Sequence, residues 1–324
     1  MYKWVYKFQD GEVIKNMDFK GKKEEAFIGF EGYDRFDFPE PIRRVTAGHG
    51  GEALLILGSE KTALYDCGMA YCWKQMLENL EKSLEGRTLD YVLVSHTHYD
   101  HIGALPYLRE RYPEAVVFGA EHAARVFERH GAHKIMKRLG EEAMREYCGD
   151  EVEIKTQGLS VDVIVREGDR IDLGDRYFRV IETPGHTDCS LSFLLEPDGI
   201  LFASESTGVL LTPEIIHTPM LKSYEDCMDS AKKCADLKPK FIVIPHYGVI
   251  PGFFNEKYWQ LFNSCAQEKC EFIKTLHDEG LSGEEILGRY ADHYWDDIRA
   301  NEQPWAAYMM NAENIVKTIL GRFK

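Results

Sequence analysis

A short segment near residue 100 contains four side chains of types that bind metal ions, in the run His96-Thr97-His98-Tyr99-Asp100-His101. His96 and His98 alternate, so an extended loop would direct both toward one metal ion. Asp100 and His101 are adjacent, point away from that pair and could reach a second ion. Imidazole suits zinc or iron, and a carboxylate adds charge for a divalent ion. The alternative is a polar surface loop, which three of the chain's 12 histidines within six residues disfavour.

The flanking sequences predict the elements that position this segment. The preceding run, Tyr91-Val92-Leu93-Val94, is short, apolar and rich in β-branched residues, which is typical of a buried strand. The following run, from Gly103 to Tyr112, predicts the start of a helix. The candidate ligands therefore stand on a loop at the carboxyl end of a strand, where open α/β sheets form ligand sites.

This segment resembles the H-x-H-x-D-H signature of the metallo-β-lactamase superfamily. The resemblance implies an α/β fold, the four-layer αβ/βα sandwich, here with a C-terminal helical extension. Four other segments resemble the family's further motifs, in the family's order. These are the turn Asp66-Cys67-Gly68, the segment Thr183-Pro184-Gly185-His186-Thr187, the pair Ser204-Glu205 and the segment His246-Tyr247-Gly248.

The resemblance also implies a ligand set for two divalent metal ions. Zinc is the expected metal, and iron and manganese stay open. The family usually has Gly-Asp where this chain has Ser204-Glu205, so the spacing of the ions and the affinity of the second are in question. The first ion would be held by His96, His98 and His186, and the second by Asp100, His101 and His246, with Glu205 bridging the two.

A hydrolase is the activity that the resemblance implies. A metal-bound hydroxide would attack an ester, thioester or lactone-type small molecule, and Asp100 would steer it or pass its proton to the leaving group. Two alternatives are an iron redox enzyme of the same fold, either a persulfide dioxygenase or flavodiiron-like, and a non-catalytic metal-binding module. Metal analysis and an oxygen-uptake assay would separate these from a hydrolase.

Three further residues are candidates for contacts around the metals or with substrate. Asp66 could accept the free N–H of a metal-bound histidine, or be a turn residue bonded to its own backbone. Residues 209–222 predict a loop, and His217 is expected on its surface, with reach into the site as the alternative. Tyr247 is the third candidate, because it follows His246 directly.

Three regions are predicted along the chain. Residues 1–42 form an N-terminal extension that packs on the core, with a substrate-covering role as the alternative. Residues 43–251 form the catalytic core. Residues 252–324 form a helical extension whose last helix runs from Glu302 to Phe323, and which could cover the metal site or make a homodimer contact.

Charge and composition restrict the partners. With 39 Lys and Arg against 54 Asp and Glu, the net charge of −15 disfavours binding to nucleic acid, while a small anionic substrate remains compatible with a metal site. The sequence shows no apolar run long enough to cross a membrane and no secretory signal pattern. Eight scattered Cys without a C-x-x-C pair favour free thiols, so the predicted location is the cytoplasm.

Overall fold

A computed structural model describes residues 38–323. Most of the predicted N-terminal extension, residues 1–37, therefore lies outside the described residues. None of the described helices is long and apolar enough to cross a membrane.

The first sheet contains six strands that lie side by side in chain order. The first three pair antiparallel, and the third to the sixth pair parallel. The strands are β1 (Ile42–Arg44), β2 (Leu54–Leu57), β3 (Thr62–Tyr65), β4 (Tyr91–Leu93), β5 (Val116–Gly119) and β6 (Val163–Ile164). The predicted strand at 161–165 is thus shorter than expected, because only two of its residues pair with β5.

The second sheet also contains six strands, and a separate hairpin lies beside it. The strands are β7 (Arg170–Asp172), β8 (Tyr177–Glu182), β9 (Leu191–Glu196), β10 (Ile200–Phe202), the hairpin strands β11 (Val209–Thr212) and β12 (Ile215–His217), then β13 (Phe241–Val243) and β14 (Val249–Pro251). Their spatial order in the sheet is β14-β13-β10-β9-β8-β7. β8 and β10 are both antiparallel to β9, and β10 is parallel to β13, so β8, β10 and β13 run in one direction.

Helices cover the outer faces of both sheets. They are α1 (Trp73–Leu84), α2 (Tyr99–Ile102), α3 (Leu105–Arg111), α4 (Glu121–Phe127), α5 (His130–Tyr147), α6 (Tyr224–Asp236), α7 (Asn255–Asp278), α8 (Gly283–Tyr294), α9 (Asp297–Glu302) and α10 (Trp305–Gly321). One apolar cluster lies between the sheets, a second packs α1, α3 and α5 on the first sheet, and a third packs α6, α7, α8 and α10 on the second. This layering confirms the predicted α/β sandwich with a C-terminal helical region.

One prediction about the second half of the chain was wrong, and the last helix begins later than predicted. Residues 209–217 form the hairpin of β11 and β12 rather than a loop, and β11 shows no polar–apolar alternation because all four of its residues are buried. The last helix, predicted from Glu302 to Phe323, is α10, which runs from Trp305 to Gly321 directly after Pro304. Gln303 precedes Pro304 and is extended, as a residue before proline prefers, so α9 ends at Glu302 and α10 begins at Trp305.

Candidate metal centre

The candidate ligands stand on four segments, and each segment follows the carboxyl end of a strand. The segment 95–101 follows β4, His186 follows β8, Glu205 follows β10 and His246 follows β13. Because β8, β10 and β13 run in one direction, their carboxyl ends meet at the same edge of the second sheet. The ligands of the first motif are not all on a loop as predicted, since Asp100 and His101 lie in the short helix α2.

Gly185 explains how the chain lifts His186 out of the end of β8. Its φ is +125°, a backbone conformation that favours glycine. A Cβ added to Gly185 would lie 2.5 Å from the backbone nitrogen of Cys227 in α6. The loop can therefore pass this close to α6 only with glycine at position 185.

The structure brings all seven predicted ligands into two overlapping groups. Within each group, the ligand atoms lie within 4.8 Å of one another. The first ligand group is His96, His98, His186 and Glu205, and the second ligand group is Asp100, His101, Glu205 and His246. Membership of both groups places Glu205 where a bridging ligand would stand.

Glu205 contacts imidazoles of both groups. Its Oε1 lies 3.0 Å from His101 Nε2, 3.3 Å from His246 Nε2 and 3.5 Å from His96 Nε2, and its Oε2 lies 3.4 Å from His186 Nε2. Burial by itself would raise the pKa of this carboxyl. The electrostatic interaction with His186 and the hydrogen bonds from His101 and His246 outweigh burial and hold the pKa well below its usual value.

The pKa shifts of the histidines differ between the groups. Burial, with its histidine neighbours, lowers the pKa of His96 well below its usual value, and burial with His186 lowers the pKa of His98 to about 3. In the second group, burial opposes the shift, but carboxylates outweigh it. Asp100 and Asp66 raise the pKa of His101, and Glu302 and Glu205 raise that of His246 to about 9.

Asp66 holds the first-motif histidines from behind. Its Oδ2 lies 2.8 Å from His101 Nδ1 and accepts a 2.6 Å hydrogen bond from Ser95 Oγ, while Oδ1 accepts from the Ser95 backbone N–H. Ser95 Oγ is in turn 3.0 Å from His96 Nδ1. These contacts leave the Nε2 atoms of His96 and His101 directed toward the centre. Of the two readings of Asp66, the contact with a ligand histidine is the one that its geometry matches.

Glu302 is the residue at this site that sequence reasoning missed. It is 5% exposed, and its Oε1 lies 3.3 Å from His246 Nδ1, an ion-pair distance rather than a well-aligned hydrogen bond. Two contacts from the core hold α9 in place: His49 Nδ1 donates to Asn301 O at 2.6 Å, and Tyr147 Oη donates to Ala300 O at 2.8 Å. No local pattern could have revealed Glu302, because a charged residue next to Gln-Pro is typical of an exposed helix end.

The other two candidates, His217 and Tyr247, are both buried. His217 is 6% exposed at the end of β12, so the prediction of a surface position was wrong. Its Nδ1 lies 3.5 Å from Lys269 Nζ. Tyr247 is buried, and its ring centroid is 6.2 Å from that of His246.

The donor set fits divalent metal ions. His96 Nε2 is buried and makes no hydrogen bond with any described residue. His186 Nε2 and His98 Nδ1 face each other at 3.0 Å, close to the ~3.3 Å that separates two nitrogens on tetrahedral zinc with Zn–N of about 2.0–2.1 Å. The five imidazoles and two carboxylates of these two overlapping groups match the ligand chemistry of zinc and of iron.

Comparison with known proteins gives a family match and relatives of two kinds. The profile described as Metallo-beta-lactamase superfamily matches residues 46–246. The Metallo-beta-lactamase fold-containing protein ST1585 of Sulfurisphaera tokodaii is 31% identical over 203 residues, covering 60% of this chain and 73% of that protein. The crystal structure of ST1585 superposes with a TM-score of 0.52 at 20% identity, covering 86% of this chain and 98% of that one, a likeness of fold.

Two further relatives carry names of different activities. A Coenzyme F420H(2) oxidase of Methanothermobacter marburgensis is 29% identical over 160 residues, 48% of this chain and 34% of that protein. A Hydroxyacylglutathione hydrolase of Bradyrhizobium sp. is 29% identical over 121 residues, 37% of this chain and 35% of that protein. The match thus spans about a third of the length of each of these two relatives.

Proposed function

This chain belongs to the metallo-beta-lactamase superfamily, and we propose that it is a metal-dependent hydrolase of ester, thioester or lactone-type small molecules. The observation that supports the proposal most is the pair of overlapping ligand groups that share Glu205. A ligand set in which apolar residues replaced several of these side chains would instead favour a non-catalytic module.

The proposal assigns each ligand group to one divalent ion, with zinc as the expected metal. Two such ions would bring the pKa of a bound water to near ~7 and polarise the carbonyl group of the substrate. The nitrogen-rich first ligand group favours zinc in particular. The first ion would be held by His96, His98 and His186, the second by Asp100, His101 and His246, and both by Glu205.

The protein's own contribution is orientation and proton transfer. Asp66 accepts from His101 Nδ1 and from Ser95, which keeps the imidazole Nε2 atoms directed at the centre. Asp100 Oδ2 lies 3.6 Å from His101 Nε2 and 3.7 Å from His246 Nε2, and its side chain is 14% exposed. That position, between the ligands and solvent, suits Asp100 to take a proton and deliver it to the leaving group.

The partners in this proposal are small molecules. The net charge of −15 opposes a polyanionic substrate such as RNA or DNA, whose affinity depends on neutralising phosphates. Binding to a generic duplex or single strand is therefore expected to be undetectable at physiological salt. A salt-sensitive gel shift at micromolar protein would contradict this.

A di-iron redox enzyme is the second candidate, and the oxidase named among the relatives is the observation that favours it. His98 favours the hydrolase over this candidate. Flavodiiron proteins resemble H-x-E-x-D-H at the first motif, with a glutamate at the position that His98 occupies here. Carboxylate in place of imidazole at that position would make the first ligand group harder and better suited to iron.

Metal analysis followed by two activity assays tests the proposal. The full chain is purified without chelators, its metals are measured, and zinc- and iron-loaded forms are prepared separately. We expect close to two zinc ions per chain, no oxygen uptake, and hydrolysis of a thioester or lactone in a panel that also contains phosphodiesters. His96→Ala should abolish hydrolysis, and His277→Ala, an exposed histidine in α7, is the matched control. Iron with oxygen uptake and no hydrolysis would overturn the proposal in favour of the redox enzyme.

A further inference from the structure

A group of cationic and phenolic side chains is buried between the metal centre and the C-terminal helices. We name it the cationic cluster. Its cations are Lys269 of α7, which is 2% exposed, and Arg299 of α9, which is 5% exposed. His217 of β12, which is 6% exposed, adds an imidazole whose pKa burial and Lys269 lower well below its usual value. The rings of Tyr290 and Tyr294 of α8 complete it, at 6.0 and 5.5 Å from Lys269 Nζ.

Lys269 has no acidic partner in the described part of the chain. Its Nζ donates to Thr218 O at 2.8 Å and lies 3.5 Å from His217 Nδ1, and no carboxylate within residues 38–323 forms an ion pair with it. A lysine is almost never fully buried unless it is paired, because removing an ammonium group from water is costly. When protonated, Lys269 is therefore a buried charge that the described residues leave without a counter-charge.

Arg299 adds a second cation that is only partly neutralised. Its Nη1 pairs with Asp296 at 2.6 Å, but that carboxylate is 46% exposed, so water weakens its compensation of the buried charge. The guanidinium carbon lies 5.9 Å from the ring centroid of Tyr294. Arg299 Nε is buried and has no hydrogen-bond partner among the described residues.

Several other buried donors near these cations are also unused within residues 38–323. An unmade hydrogen bond on a buried donor costs about 1–3 kcal/mol, so their concentration in one place favours the binding of an acceptor. An anionic group supplies several acceptor lone pairs at once. The hydroxyl oxygens without a partner are those of Thr218, Tyr290 and Tyr308.

The cationic cluster is tied to the metal centre on two sides. Thr218 O accepts from Lys269, and the carbonyl of the next residue, Pro219, accepts from His186 Nδ1 at 2.8 Å. On the other side, Arg299 lies one helical turn before Glu302, whose carboxylate faces His246. A group bound by the cluster would therefore stand beside both ligand groups.

We propose that the cationic cluster binds an anionic group of the substrate, a carboxylate or a phosphate, distant from the bond that is cleaved. The substrate class then narrows to esters, thioesters or lactones that carry an acidic group, a step that rests on the proposed function. Anion binding by the cluster does not depend on hydrolysis. Burial and the nearby Arg299 lower the pKa of Lys269 to about 7, so a bound anion would also restore its full charge.

The first test measures anion binding without metals, so that the metal centre cannot bind the probe. Chelator-treated full-length protein is titrated with inorganic phosphate and with glutarate by calorimetry. We expect Lys269→Met and Arg299→Gln each to weaken binding at least 10-fold. Lys232→Met and Arg125→Gln remove the same charges from exposed helix positions and should leave affinity unchanged. Equal affinity in all forms, or no binding by the wild type, would overturn the proposal.

The second test compares two esters that differ in one charge, using the zinc-loaded enzyme. One ester carries a terminal carboxylate and the other the corresponding amide. Lys269→Met should raise KM at least 10-fold for the carboxylate ester and leave the amide ester unchanged. An equal effect on both esters would mean a purely structural role for Lys269. If Lys269→Met fails to fold, Arg299→Gln is used for the same comparison. This variant is expected to fold, because Asp296, which loses its partner, is exposed to water.

The two tests separate failure of the subsite from failure of the proposed function. Loss of phosphate binding in the variants, without hydrolysis of any ester by the wild type, would support the subsite and overturn the hydrolase. Hydrolysis of both esters at equal efficiency, with unchanged phosphate binding in the variants, would support the hydrolase and overturn the subsite.

Discussion

The two ligand groups of the metal centre are held in different ways. In the first ligand group, His186 donates to a backbone carbonyl and His96 contacts a serine hydroxyl. In the second, a buried carboxylate stands behind each imidazole, Asp66 behind His101 and Glu302 behind His246. Because the serine hydroxyl beside His96 is neutral, burial dominates and lowers the pKa of His96. In the second ligand group, the carboxylates outweigh burial and raise the pKa of His101 and His246.

The two ligand groups therefore depend on different parts of the chain. Every contact described for the first ligand group comes from residues before 252, within the predicted core. The second ligand group also needs Glu302, which α9 brings back from the C-terminal helices. We therefore expect mutations to separate the two metal-binding events, and the following predictions test that separation.

Replacing the shared carboxylate should have the largest effect. Glu205→Gln removes the charge that offsets repulsion between two cations, so it should keep the first metal, lose the second and reduce hydrolysis by roughly 100-fold or more. Glu205→Asp should fold normally and retain metal, because it restores the usual family residue. Zinc titration of the apo forms counts the binding events. Two metals bound with equal affinity by wild type and Glu205→Gln would show that Glu205 is not a bridging ligand.

Removing the charge behind His246 should affect the second ligand group alone. Glu302→Gln is expected to weaken the second zinc by about 10- to 100-fold, as is usual for carboxylates that orient metal-bound histidines. The first zinc should keep its affinity. Competition with a chromophoric chelator measures both constants, and Glu313→Gln, an exposed carboxylate of α10, is the control. Equal weakening of both zinc ions would argue against the separation.

A substitution next to His186, in the first ligand group, should lower the stability of the fold. Gly185→Ala places a side chain at φ +125° and against Cys227, so it should lower the free energy of unfolding by about 1–3 kcal/mol and displace His186. Gly131→Ala is the control, because an added Cβ there meets nothing within 4 Å, and it should be neutral or stabilise by up to about 1 kcal/mol. Urea unfolding of the apoprotein measures both, and equal stabilities would contradict the prediction.

The smallest effect is expected from Ser95→Ala. It removes the hydroxyl that relays Asp66 to His96, so the first zinc should weaken by about 10-fold or less while the second keeps its affinity. Ser264→Ala, on an exposed position of α7, is the control. The chelator competition assay applies again. A larger loss at the second zinc would mean that Asp66 depends on Ser95 to hold His101.

The structure confirms the predicted fold and brings the seven predicted ligands together, whereas several of their neighbours were not predicted from the sequence. Ligands such as His186 follow strands directly, so local motifs and strand order are enough to bring them together. Glu302 is different, because its contact with His246 joins segments that no local pattern relates. His217 was misplaced for a similar reason: the hairpin that carries it is buried by α7, and a strand buried on both faces lacks the alternation that identifies strands.

The position of Glu302 in the chain also sets an order of events during protein synthesis. Domains fold as the chain emerges, from the N-terminus onward. All seven candidate ligands precede residue 247, while α9, which Tyr147 and His49 fix against the core, is made only after the long helices α7 and α8. A nascent chain can therefore assemble the first ligand group early, and the second reaches its final affinity only when α9 docks.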